Sequence, residues 1–415
     1  METVALPDET PRYRWVVVSL WLLCSVVGYM VISTLGLLLP AVSSDLRLSS
    51  SQQGVLSSSA YWGNLALAIP LGWWMSRYSP KMLTTVTMVL GILLLFLQGW
   101  APTFAVLLAG RLAFGITVSA IQPARALLVQ QWFHQREIVW VNAISNVIFG
   151  VIVGGGLLAA PFILDSLGDD WRMTLYIFGG LFAALTVIWA ALGRERVNTA
   201  YRSQETSQEV GLLKGALTHR DLWVQGFGFL GVTLAWSAFL SFFPTLMLDT
   251  YQVSLKWSGA ILALSTVIGG VAGLGLGYVA MVTDKGKGIL VVLGGLMTGT
   301  YVGMTLTGSI PVLVVLSFLN GITWGFFPIL YTVPFHLPGI RPREVAVALA
   351  FTTVILSAGT ALGPLVTGFL QEALGGLRPA LLVISFTCLC LSAAGILLRM
   401  GTQRVDKVEH TDVAR

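Results

Sequence analysis

Two arginines, Arg111 and Arg125, fall inside one apolar run over 103–127. A guanidinium keeps its charge at any accessible pH and presents a planar fork of five donors, which suits a carboxylate or another oxyanion. Their spacing is helical. At about 100° per residue, fourteen residues bring Arg125 back to within about 40° of Arg111, and Gln122 comes within about 20°. Arg111, Gly115, Val118, Gln122 and Arg125 therefore share one stripe. The 19 acidic residues all fall at the ends of apolar runs, in connections or in tails, and His134, His219, His336 and His410 do likewise. No grouping of Cys, His and acid has metal-ligand or nucleophile spacing, so no metal and no cofactor is expected. The chemistry on offer is electrostatic capture of an anion.

The elements that must position these residues follow from composition. Of 415 residues, 55% are hydrophobic and 10% charged, against about 25% charged in soluble domains. About 20 apolar residues cross a hydrocarbon core of about 30 Å, and runs of that kind recur at 15–39, 53–75, 82–100, 103–127, 138–164, 171–193, 221–248, 257–282, 288–307, 311–333, 344–371 and 377–400. Twelve membrane helices are expected, because only a helix satisfies its own backbone in lipid at this hydropathy. The first run is too long for a signal peptide and stays attached. Cys24, Cys388 and Cys390 lie within runs and read as small core hydrophobes. Of the 24 Lys and Arg residues, 18 fall on the tails and even-numbered connections, while the opposite side holds Arg47, Arg172, Lys256 and Arg378. Cytoplasmic loops are enriched in these residues, which puts both termini inside a multi-pass cell-membrane protein. The formal charge of +5 reports this orientation and not a nucleic-acid surface.

The longest polar connection, 194–220, divides six runs from six, and the halves resemble each other. Arg136-Glu137 and Arg343-Glu344 are 207 positions apart, as are Gly156 and Gly363; Gly115 and Gly321 are 206 apart, and Gly54 and Gly259 are 205 apart. The reading is a cytoplasmic tail 1–14, a bundle 15–193, a linker 194–220, a bundle 221–400 and a tail 401–415. Parallel six-helix repeats with substrate held between them are a transporter architecture. The offset of 206 sets Ser317, Gly321, Trp324, Pro328 and Tyr331, with Asn320 and Phe327 beside them, opposite the basic stripe. Arg111, Gln122, Arg125, Asn320, Trp324 and Tyr331 are the candidate substrate contacts, joined by Tyr29 and Trp236.

The chain resembles the major facilitator superfamily over its twelve runs. The segment Gly72 to Lys81, with Arg77 and Lys81 basic, is similar to the family's signature between its second and third helices, with Ser76 where the acid stands. Asp284 and Lys285 occupy the matching place in the second half. Arg111 followed by Gly115 resembles the family's fourth-helix motif, and Trp171-Arg172 its sixth-helix start. The resemblance implies an all-α fold of two pseudo-symmetric six-helix bundles whose helices 1, 4, 7 and 10 line a central cavity. It also implies gating residues at the cytoplasmic mouth: Arg77, Lys81, Asp284 and Lys285, with Glu137 as partner for Arg77. The arginine-bearing, carboxylate-free interior is similar to carriers of small anions and monocarboxylates.

The expected function is a monomeric secondary active or facilitative transporter moving a small organic or inorganic anion by alternating access, driven by a coupling ion or an exchanged solute. The alternative is a proton-coupled drug or metabolite exporter of the same superfamily, which calls for a membrane-embedded Asp or Glu. A membrane enzyme needs clustered nucleophilic or metal-binding side chains, and the sequence offers none.

Overall fold

The computed structural model describes residues 13–75, 79–121, 132–133, 135–194, 217–283, 285–337, 340 and 342–399. Among them the regular elements are all helical: α1 Tyr13–Leu46, α2 Ser50–Met75, α3 Pro80–Trp100, α4 Phe104–Ala120, α5 Gln135–Ser166, α6 Trp171–Leu192, α7 Arg220–Tyr251, α8 Leu255–Thr283 and α9 Gly286–Leu306. They continue with α10a Ile310–Thr323, α10b Phe326–Tyr331, α11 Pro342–Ala373, α12a Leu377–Ser385 and α12b Leu389–Leu397. Ten of the described spans are long and apolar enough to cross a membrane. The end of the molecule where α6 stops and α7 starts is called the linker side here, and the opposite end the far side.

Two expectations about helix ends are corrected. The first run was expected to close before Pro40, yet α1 runs through Pro40 to Leu46, and α5, α7 and α11 likewise run through Pro161, Pro244 and Pro364. In an apolar environment a chain that leaves the helix strands far more backbone groups than one proline does. Pro40 and Pro244 free the carbonyls four residues back, at Gly36 and Leu240, and Gly36 is where α1 lies against the Leu240–Ser241 backbone of α7. The tenth run, expected to be continuous over 311–333, is broken at Trp324-Gly325. Pro328 has no N–H to offer the Trp324 carbonyl, which accepts instead from Phe327 at 3.0 Å.

The repeat holds at the level of side-chain contacts. A Cβ on Gly115 would strike the Ala60 carbonyl, and one on Gly321 the Ser265 carbonyl, 205 positions on. Gly156 abuts Met30, and Gly363 abuts Ser237, 207 positions on. Across the halves, Gly54 of α2 meets Pro364 and Gly368 of α11, while Gly259 of α8 meets Leu157 and Pro161 of α5, again 207 apart. The contacts at Gly54, Gly259 and Gly36 lie in the far half of the molecule, while α5 and α8 also touch near their middles at Gly150 and Gly270.

The far-side rim carries a polar version of the same symmetry. Lys256 Nζ of α8 reaches Asp165 Oδ2 at the end of α5 at 2.7 Å, and the Ser51 N–H of α2 donates to Glu372 Oε1 at the end of α11 at 3.0 Å. The two acids are 207 positions apart and their partners 205. Both groups of the ion pair are solvent-exposed, and such pairs contribute roughly 0.2–1 kcal/mol. The double variant Asp165→Asn/Glu372→Gln is thus expected to raise the far-side-open population several-fold, read as spin-label distances across that rim, and the swap Asp165→Lys/Lys256→Asp to behave like the wild type. Unchanged distances in the double variant would show that these two rim bonds do not hold the halves together on the far side.

Candidate functional site

Arg111 is 1% exposed, and among the described residues it is the sole charged side chain that is buried. It sits seven residues into α4, on a helix that Gly115 draws against the backbone of α2. One Nη donates to the Ile32 carbonyl of α1 at 2.7 Å, while Nε has no hydrogen-bond partner. The guanidinium interacts electrostatically with the Tyr61 phenol of α2, and Tyr61 in turn with Tyr29 of α1. Tyr29 is half-buried and tilts against Phe149 of α5 at 6.0 Å between ring centroids. The result is a positive charge with an unfilled donor, with the Tyr61 phenol in its field, in an apolar bundle. A desolvated cation in that state attracts a negative group strongly.

In the second half, Trp236 sits near the midpoint of α7, as Tyr29 does in α1, 207 positions earlier. Tyr29 lies two turns to the linker side of Gly36, and Trp236 one turn to the linker side of Leu240, each within about 40° of that crossing residue at about 100° per residue. Tyr29 and Trp236 therefore flank the space between the halves on the linker side of the α1–α7 crossing. Trp236 meets Trp324 edge-on at 5.7 Å, and Phe327 stacks on Tyr331 at 5.5 Å with their planes 13° apart. The break after α10a turns Trp324 toward α7 and α8, where it packs on Gly269. Tyr29, Trp236, Trp324, Phe327 and Tyr331 are all half-buried, whereas the lining of the crossings themselves is buried.

Asn320 has a different placement. Its amide is buried, accepting from Ser265 Oγ of α8 at 2.9 Å and donating to Thr300 Oγ1 of α9 at 3.0 Å, so it ties α10a to two neighbours. Gln122, Arg125, Arg77 and Asp284 lie outside the described residues, as does the side chain of Glu137. Lys285 is exposed beside the start of α9, and the Lys81 carbonyl accepts from Trp189 Nε1 at 3.5 Å. Sequence reasoning missed Tyr61, although a lone phenol in the middle of an apolar run is the same signal that singled out Tyr29. A cleft of about 840 Å³ on the far side, lined by Asp45, Asp165, Asp169, Asp170 and Asp249 against Arg172 and Lys256, has an acidic excess that disfavours an anion.

The family model described as Major Facilitator Superfamily matches residues 21–341. The chain belongs to that superfamily. It is a multi-pass membrane transporter and not an enzyme, and its substrates are small molecules. A "Probable galactarate/D-glucarate transporter GarP" of Escherichia coli (strain K12) is 22% identical, with 97% of this chain and all of that protein covered. A "Probable L-galactonate transporter" of the same organism is 22% identical over 93% of this chain and 88% of its own length. Among solved structures, a bacterial homolog to the human lysosomal transporter Spinster, in an inward-facing and unoccupied conformation, superposes with a TM-score of 0.77 at 16% identity, covering 94% of this chain and 98% of that one. That likeness is one of fold.

Proposed function

We propose that this superfamily member carries a small organic carboxylate across the cell membrane by alternating access, with Arg111 as the carboxylate-gripping group and Tyr61 and Tyr29 as hydrogen-bonding neighbours. The single observation behind this reading is the buried, incompletely bonded Arg111 guanidinium with no buried acid among the side chains the structure describes. An anion offsets that charge, and arginine grips a carboxylate through two parallel hydrogen bonds. The relatives' names add support, because galactonate, galactarate and glucarate are all carboxylates. The linker side is cytoplasmic by the excess of Lys and Arg on its connections. The crossings of α1 on α7 at Gly36, of α2 on α11 at Gly54 and of α5 on α8 at Gly259 would then lie toward the outside, and the space between Tyr29 and Trp236 toward the cytoplasm.

Reconstituted protein loaded with unlabelled carboxylate is expected to accumulate labelled carboxylate by counterflow, and not tetraphenylphosphonium. Tyr61→Phe is expected to raise the half-saturating concentration several-fold while leaving the maximal rate nearly intact, since one neutral hydrogen bond contributes about 0.5–1.5 kcal/mol. Counterflow of the lipophilic cation alone would overturn the reading in favour of the drug-exporter alternative.

A further inference from the structure

We infer that the carried anion has a flat apolar body, as an aryl or arylalkyl carboxylate does, and that Trp236 and Trp324 are the residues that select it. The inference rests on the carboxylate reading above and concerns what the rest of the molecule touches. In the second half a half-buried aromatic cluster adjoins the space that Trp236 flanks: Trp236 meets Trp324, and Phe327 and Tyr331 stack beside them over the fully buried Phe229 and Phe326, which lie 5.8 Å from each other. Four polar side chains near these aromatics are already engaged within the bundle. Asn320 bonds Ser265 and Thr300, Gln225 donates to the Leu330 carbonyl at 2.9 Å, Ser317 donates to the Ile261 carbonyl, and Ser237 turns back to the Leu234 carbonyl of its own helix.

A polyhydroxylated acid entering this space gives up water at each hydroxyl, and unreplaced hydrogen bonds are costly there. A flat apolar body loses nothing of that kind and gains ring contacts, with the edge-on Trp236–Trp324 pair offering both a face and an edge. Specificity of this sort is a difference between affinities. Trp236 and Tyr29 flank the same space, Trp236 on the half that holds Trp324 and Tyr29 on the half that holds Arg111.

Binding to the purified full-length protein, read by calorimetry, tests this with acetate, phenylacetate and glucarate as probes. Phenylacetate is expected to bind at least tenfold tighter than either of the others. Trp324→Ala is expected to erase that advantage, bringing phenylacetate down to the affinity of acetate, and Trp324→Phe to keep most of it. Glucarate binding as tightly as phenylacetate, or phenylacetate binding no tighter than acetate, overturns the inference while the carboxylate reading stands. Absence of binding by all three, or binding of tetraphenylphosphonium alone, overturns both. Since the wild-type ranking decides by itself, a Trp324 variant that fails to fold does not obscure the result; Trp236→Phe and Trp236→Leu then report on the same pair, and equal phenylacetate affinity in both overturns the selecting role.

Discussion

Arg111→Met protein is expected to fold with a thermal midpoint equal to or above that of the wild type and to lose carboxylate binding by roughly ten- to hundredfold, the range of a charge-assisted hydrogen bond at about 1.5–3 kcal/mol. Methionine fills the same space without a charge, whereas the guanidinium sits 1% exposed with Nε unpartnered. A charge at a helix centre costs about 2.5–3.5 kcal/mol on insertion scales, so its removal relieves the empty protein. The one bond lost, to the Ile32 carbonyl, joins a group already inside the regular part of α1. Arg111→Lys keeps the charge but not the two-pronged grip, and is expected to recover less than a tenth of the lost affinity. Thermal melts and calorimetry on the three proteins check both halves of the expectation. A lower melting point for Arg111→Met together with normal transport would make Arg111 a packing residue that ties α4 to α1.

Gly54→Leu protein is expected to remain folded yet transport at a few per cent of the wild-type rate, held open on the far side. A Cβ at residue 54 would press on the Pro364 carbonyl and on Gly368 of α11, atoms that cannot swing away as a flexible side chain does. This contact joins the two halves, so separating them on the far side accommodates the leucine, and closing them does not. Gly115→Leu provides the contrast. Gly115 abuts the Ala60 backbone within one half, and a rocking bundle keeps that contact in every state, so the variant is expected to melt early or fail to accumulate. A cysteine introduced at Thr245, which is 8% exposed on α7 one turn to the far side of Ser241, reports the difference by its labelling rate with an impermeant reagent, expected to rise at least tenfold in Gly54→Leu. The native Cys24 and Cys388 are buried, and the half-buried Cys390 is replaced by serine in the labelling background. Unaltered labelling with normal transport would show that the α2–α11 crossing does not close the transporter.

Much of this architecture is legible in the chain because the bilayer leaves few solutions. A span must be a helix of a given length, charges must sit at its ends, and the number and order of spans then follow from polar breaks. The repeat is legible for a related reason. Glycines at helix crossings are fixed by backbone contact, so Gly54 and Gly259, Gly115 and Gly321, and Gly156 and Gly363 keep their offsets, and each pair makes the equivalent contact. Helical periodicity also put Arg111 on the face of α4 that turns inward.

Periodicity describes one helix at a time, and everything that depends on a neighbour waited for the tertiary structure. The sequence treated Asn320 as a contact opposite the arginines; packing turned its amide to Ser265 and Thr300, because a buried amide takes the nearest donor and acceptor available. It passed over Tyr61, whose weight comes only from the phenol's nearness to Arg111. It ended the first span at Pro40 and carried the tenth unbroken past Trp324, reversing what is found. A proline's effect is decided by whether its freed carbonyl finds other company: Gly36 lies against α7, whereas Trp324 takes the Phe327 N–H and turns its ring toward Trp236. Composition and spacing determined the number of spans, their order and the placing of Arg111 inside one of them; the partners of that charge and the aromatic cluster of the other half were decided by how the helices cross, since the distance between residues on different helices is set by packing and not by their separation along the chain.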